Sequence, residues 1–183
     1  MAMEHTLSRR GFLKLGLIAA ALPVPAFASQ GLFEPERRLG FHSLHTGEQA
    51  ELPYWVAGEY VPESLAEINH VLRDHRTGEV AAIDTRLLDL LHRVSAAVGA
   101  SQPFQVISGY RSPASNQMLA SHSSGVATRS LHMQGKAIDV RLPGIALADL
   151  RDAGLMLRGG GVGYYPGSNF VHLDVGRVRT WGG

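Results

Sequence analysis

Ser130-Leu131-His132-Met133-Gln134-Gly135-Lys136-Ala137-Ile138-Asp139, together with Phe170-Val171-His172-Leu173-Asp174, carries the pattern that decides the fold. Apolar and polar residues alternate in both stretches, the period of a strand with one buried face. Ile138, Val140 and Leu142 share one face of the first strand, and Ala137, Asp139 and Arg141 share the other. On the second strand Val171, Leu173 and Val175 oppose Phe170, His172 and Asp174. If both apolar faces rest on helices, then Asp139, His172 and Asp174 project into one cleft. His132, just ahead of the first strand, can swing onto the same face. Imidazole and carboxylate are the ligand types of a hydrolytic zinc ion that keeps one coordination position open, and three of them would meet it at roughly 2.0–2.2 Å.

The rest of the chain reads outward from these strands. Phe41 to Leu44 and Leu52 to Val56 flank His45-Thr46-Gly47-Glu48 and predict a hairpin. Pro62-Glu63-Ser64 opens a helical pattern through Leu65, Ile68 and Leu72 that ends near Gly78. A second helix, capped by Asp84 or Thr85, runs through Leu87, Leu91, Val94 and Val98 and stops at Gly99. Phe104 to Ser108 is a strand broken by Gly109-Tyr110-Arg111-Ser112-Pro113, with a short helix over Ala114 to Leu119 and a polar loop, Ser121 to Ser130, beside the site. After a strand over Lys136 to Leu142 comes a helix over Leu147 to Leu157. Val162 to Tyr165, Phe170 to Val175 and Arg177 to Trp181 then predict successive antiparallel strands. Helices first and strands last favour an α+β single domain, an antiparallel sheet with helices packed on one face.

The N-terminus reads as an address. Ser8-Arg9-Arg10-Gly11-Phe12-Leu13-Lys14 is a twin-arginine signature, followed by a short apolar run and the small-residue site Ala26-Phe27-Ala28. The run is shorter than the ~20 residues of a membrane span. Residues 1–28 are therefore expected to be a cleaved signal peptide and 29–183 the domain, located in the periplasm with no stable membrane association. Cleavage removes Arg9, Arg10, Lys14 and Glu4, taking the formal net charge from +1 to slightly negative, which gives no footprint for nucleic acid. The chain has no cysteine, so disulfides and thiolate metal sites are excluded. Most of the other histidines (His42, His45, His70, His75, His92, His122) are expected to face solvent or satisfy local hydrogen bonds.

Ser130-x-His132-x6-Asp139, the later His172-x-Asp174 and the upstream Ser108-Gly109-Tyr110-Arg111-Ser112 resemble the zinc D-Ala-D-Ala carboxypeptidase/VanX-type peptidase superfamily. Within it, Phe41 to Glu48 and the closing Val171 to Gly176 with Arg179 and Trp181 look most like the twin-arginine-exported murein endopeptidases. The resemblance covers nearly all of the mature domain. It implies a D-Ala-D-Ala peptidase/hedgehog-like fold, a Zn2+ ion held by His132, Asp139 and His172, and peptidoglycan stem peptides as substrate. It further implies that Arg111 holds the scissile carbonyl oxygen as it gains charge. Ser130 is expected to contact substrate or orient His132, and Gln117 to face the cleft. A monomer is expected.

One departure stands out. More distant members carry a catalytic carboxylate or histidine two or three residues before the last zinc histidine, where this chain has Phe170 and Asn169. Asp174 is then either the general base or a residue that fixes the site, with His122 on the polar loop as another candidate. Two other functions compete: a D-Ala carboxypeptidase, using Arg141 or Arg129 for the free carboxylate, and a non-catalytic wall-binding module. Nucleophilic serine catalysis is disfavoured, because no G-x-S-x-G elbow occurs.

Overall fold

Two strands at the chain's start close as the expected hairpin: β1 (Glu36–Ser43) pairs antiparallel with β2 (Gln49–Val56), and β3 (Glu59–Tyr60) extends it. The computed structural model describes residues 35–122 and 127–183. The expected signal peptide and the tip of the Ser121 to Ser130 loop lie outside the described residues. The described residues belong to one compact unit.

Helix α1 (Pro62–Val71) begins with proline at its first turn, which the missing N–H and fixed φ favour. It ends at Leu72, short of Gly78, because the chain turns there to bring Asp74 inward. Helix α2 (Thr85–Ala97) is capped by Asp84, whose carboxylate accepts the Arg86 amide. Strand β4 (Phe104–Ser108), helix α3 (Pro113–His122), strand β5 (Ala137–Arg141), helix α4 (Leu147–Leu157), β6 (Gly161–Tyr165), β7 (Phe170–Asp174) and β8 (Arg179–Gly182) follow.

The fold is α+β as expected, with a mixed sheet of order β3-β2-β1-β4-β5-β7-β6-β8. β1 pairs parallel with β4, across the long connection that contains α1 and α2. The last three strands are not successive neighbours. β7 has β5 on one side and β6 on the other, so β8 takes the outer edge of β6 and, after one short reversal, runs parallel to it. Phe41, Phe104, Val106, Ile138, Val140, Val171 and Leu173 join Leu87, Leu91 and Leu150 of the helices in one buried core. Because β-strand side chains alternate, Asp139 and His172 point to the face away from these helices.

Candidate metal centre

His132 is placed by a 3-10 turn, Leu131–Gln134, not by a strand. The Ser130 hydroxyl caps that turn by accepting the His132 amide at 3.3 Å. Gly135, at φ +63, closes it against the Ala82 carbonyl, where a side chain would collide. Asp139 and His172 are direct cross-strand partners on β5 and β7.

Three donor atoms converge. His172 Nδ1 lies 2.8 Å from Asp139 Oδ1 and 3.2 Å from His132 Nε2, and His132 Nε2 lies 3.4 Å from the same carboxylate oxygen. Tetrahedral zinc with bonds of about 2.1 Å requires donors about 3.4 Å apart, so the triangle fits one ion. Among the described residues it is the one His/Cys/Asp/Glu cluster spaced this way. The outer nitrogen of each ring is already committed: His132 Nδ1 donates to the Gly109 carbonyl at 2.7 Å, and His172 Nε2 to Asp174 Oδ2 at 3.1 Å. Those bonds fix the neutral tautomers and turn both inner lone pairs toward the same point. Burial disfavours charge on His172, yet Asp139 and Asp174 outweigh it and raise its pKa. The field that favours a proton there favours a cation equally.

Asp174 is fully buried. Its Oδ1 accepts the amides of Gly161 (2.9 Å) and Gly176 (2.8 Å) and Arg179 Nη1 (3.1 Å), while Oδ2 accepts Arg179 Nη2 at 2.6 Å besides His172. Burial would raise its pKa, but His172, Arg179 and the two amides hold the carboxyl below the usual range. With every lone pair engaged, this carboxylate buttresses His172. Asp174→Asn is therefore expected to weaken zinc affinity about 10–100-fold, read by chelator competition, while zinc-saturated protein keeps most of its turnover.

Arg111 is half-buried beside Asp139 (Nη2 to Oδ2, 3.6 Å) and donates weakly to Ser108 Oγ at 3.3 Å. Its Nε has no hydrogen-bond partner among the described residues. Burial lowers its pKa, with Asp139 acting against that. The backbone around it is pinned by others: Tyr110 N donates to Leu72 O (2.7 Å), Arg111 N to His132 O (3.2 Å), and Ser112 N to Asp74 Oδ2 (2.8 Å). Burial would push the Asp74 carboxyl up, but bonds from Ser112, Ser115 and the Arg76 amide outweigh it and hold it below its ordinary 3.8. Its stabilisation is thus complete above pH ~4 and is lost as pH falls through the depressed value. Asp74→Ala is expected to cost about 1–3 kcal/mol for the Ser112 amide left unpaired. Denaturant unfolding against pH would show the variant losing less stability on acidification than the parent.

The cleft, about 500 Å³, is bordered by Arg111 toward β4 and by Tyr165, Phe170 and Trp181 toward β6 and β8. Arg129, Ser130 and Ser168 also line it. Gln117 is not brought there: it is exposed on α3, whose buried residues are Ser115 and Asn116. His122 is likewise exposed, with Nδ1 2.7 Å from the Met118 carbonyl oxygen, and Arg141 is tied to Gln105 Oε1 at 2.7 Å. Tyr165, Asp74 and the Gly109 carbonyl went unread in the sequence. Tyr165 had a signal, since it lies two positions along β6 from Gly163, the partner of His172, and so shares its strand face. A carbonyl and a loop aspartate have none.

With this geometry in hand, the family model described as peptidoglycan L,D-endopeptidase MepK matches residues 33–181. The chain belongs to this family. Peptidoglycan L,D-endopeptidase MepK of Escherichia coli (strain K12) is 46% identical over 177 residues, covering 95% of this chain and 97% of that protein. The probable peptidoglycan L,D-endopeptidase MepK of Haemophilus influenzae is 38% identical over 180 residues, covering 96% of each. Membership bears out the resemblance to zinc D-Ala-D-Ala/VanX-type peptidases, and the protein is a peptidase.

Proposed function

We propose that this peptidase is a zinc-dependent murein endopeptidase that hydrolyses diaminopimelate-to-diaminopimelate cross-links in the periplasm. The observation that carries the reading is one cleft lined by both the His132–Asp139–His172 donor triangle and the half-buried Arg111 guanidinium. The cross-link type follows the names of the relatives, both L,D-endopeptidases. Export by the twin-arginine pathway rests on Ser8 to Lys14, and the alignment with the Escherichia coli relative, covering 95% of the chain, reaches into its first 34 residues. No helix among the described residues is long and apolar enough to cross a membrane. The donor triangle is complete within a single chain, so a monomer suffices for the proposed chemistry.

His132 Nε2, Asp139 Oδ1 and His172 Nδ1 are the residues that hold zinc. When bound, the ion supplies Lewis acidity, polarising a carbonyl and lowering the pKa of water. The Gly109 carbonyl and Asp174 keep the two imidazoles aimed inward. Arg111, which lines the cleft, offers its guanidinium to the carbonyl oxygen as it gains charge, an interaction stronger in the transition state than in the ground state. Ser130 holds the turn of His132 and borders the path of the stem peptide.

The deciding experiment incubates the purified protein with defined cross-linked muropeptide dimers, with chelator and zinc add-back, and follows products by mass spectrometry. Chelator-sensitive conversion of the diaminopimelate-linked dimer to monomers is expected. Cleavage only of D-Ala-to-diaminopimelate dimers would overturn the cross-link type. Loss of terminal D-Ala alone would mark a carboxypeptidase, with Arg129 lining the cleft to meet the carboxylate. Zinc-loaded protein that cuts nothing would leave a wall-binding module.

A further inference from the structure

Amide hydrolysis has a second requirement besides a polarised carbonyl: the departing nitrogen must take up a proton before the C–N bond can break. The residues bordering the cleft are short of obvious sources. Its one carboxylate is Asp139, a member of the donor triangle, and Asp174 lies behind His172 with all its lone pairs engaged. Arginines do not give up protons in proteins, and a serine hydroxyl is far too weak an acid.

Tyr165 stands differently. It ends β6 directly across from Phe170 on β7, and their rings stack at 4.6 Å. The Trp181 indole donates Nε1–H to the Tyr165 hydroxyl oxygen at 2.7 Å, the single hydrogen bond of that hydroxyl among the described residues. Indole nitrogen can only donate. The phenolic oxygen is therefore the acceptor in this bond, which leaves its own proton uncommitted, on a residue that lines the cleft. Trp181 is itself fixed. Its ring lies 5.1 Å from that of His172, Arg179 covers it at 4.6 Å, and Gly163 leaves it room, since a Cβ there would sit 2.8 Å from the indole.

We propose that Tyr165 is a catalytic residue that delivers the proton to the leaving amine, and that Trp181 positions it. The inference rests on the endopeptidase reading above. Strand order places Arg111 beyond β5, on the β4 side of the triangle, and Tyr165 beyond β7, on the β6 side. A trans amide points its oxygen and its N–H in opposite directions, so an oxygen facing Arg111 turns its nitrogen toward Tyr165. As the carbon–nitrogen bond breaks, the nitrogen takes the phenolic proton. Within the tetrahedral adduct the phenolate takes back one proton from the added water oxygen, and that oxygen's other proton leaves the product acid for solvent as the acid ionises to carboxylate.

The test compares Tyr165→Phe with wild type on the amide-linked dimer and on an analogue with a thioester at the scissile bond, whose thiolate departs without a proton. The variant is expected to lose about 10²–10³-fold in kcat on the amide and less than about tenfold on the thioester, with KM within about twofold. Zinc content is expected to match wild type. Trp181→Phe, which keeps a ring and removes the N–H, should show a smaller loss with the same sparing of the thioester. Equal losses on both substrates, or unchanged amide turnover, would overturn the role of Tyr165. A wild-type protein that cleaves neither substrate refutes the endopeptidase reading instead, a result distinct from any variant effect on active enzyme.

Discussion

Alanine in place of Asp139 is expected to abolish both zinc binding and turnover. This carboxylate oxygen is the shared corner of the donor triangle, 2.8 Å from His172 Nδ1 and 3.4 Å from His132 Nε2. Burial alone would raise its pKa, but His132 and His172 outweigh that and hold it ionised. Without it, the two imidazoles face each other at 3.2 Å with no carboxylate oxygen to complete the donor set. Zinc present at 100 times its Kd stabilises a folded site by about 2.7 kcal/mol, so wild-type protein should unfold at a higher temperature with zinc than without. The variant should show no such shift and no bound metal by elemental analysis. A zinc-replete, active Asp139→Ala protein would remove this residue from the centre.

Arg111→Ala is expected to lower kcat about 10²–10³-fold, the cost of losing a fixed donor to a developing oxyanion, and to leave zinc content unchanged. The guanidinium makes one long hydrogen bond, to Ser108, and keeps Nε unpaired, so little of its donor capacity is spent on the fold. The surrounding turn is held by the Tyr110, Arg111 and Ser112 amides, whose partners are Leu72, His132 and Asp74. The variant should therefore fold. Arg111→Lys should rescue little, because a point charge on a flexible stem does not reproduce a planar donor fork. Steady-state kinetics with metal analysis decides the matter: wild-type turnover would sink the role, as would a matching loss of zinc.

Much of this was open to a reader of the chain. Alternation along 137–142 and 170–175 assigned Asp139 and His172 to one strand face before any coordinates, because a strand's side-chain period is strictly two. The α2 helix followed from its cap at Asp84 and its apolar spacing, both local signals. Less was legible where partners are distant in sequence. The reading that Gln117 faces the cleft depended on the rotation of α3, which is set by what that helix packs against, and the structure turns Asn116 inward instead. The outermost strand was read as an antiparallel neighbour of β7. Strand order is a competition for free edges, and the edge available was that of β6.

The sequence by itself determined the α+β class, the residue types of a His, Asp, His centre and an arginine turn ahead of it, since these depend on local periodicity and side-chain chemistry. Tertiary structure alone decided which nitrogen of each histidine points inward, that Asp174 is walled in by Gly161, Gly176 and Arg179, and that the Tyr165 hydroxyl accepts the Trp181 indole N–H. Those facts are hydrogen bonds between segments up to 40 residues apart, and such bonds are fixed by how the strands order and pack, which no local pattern encodes.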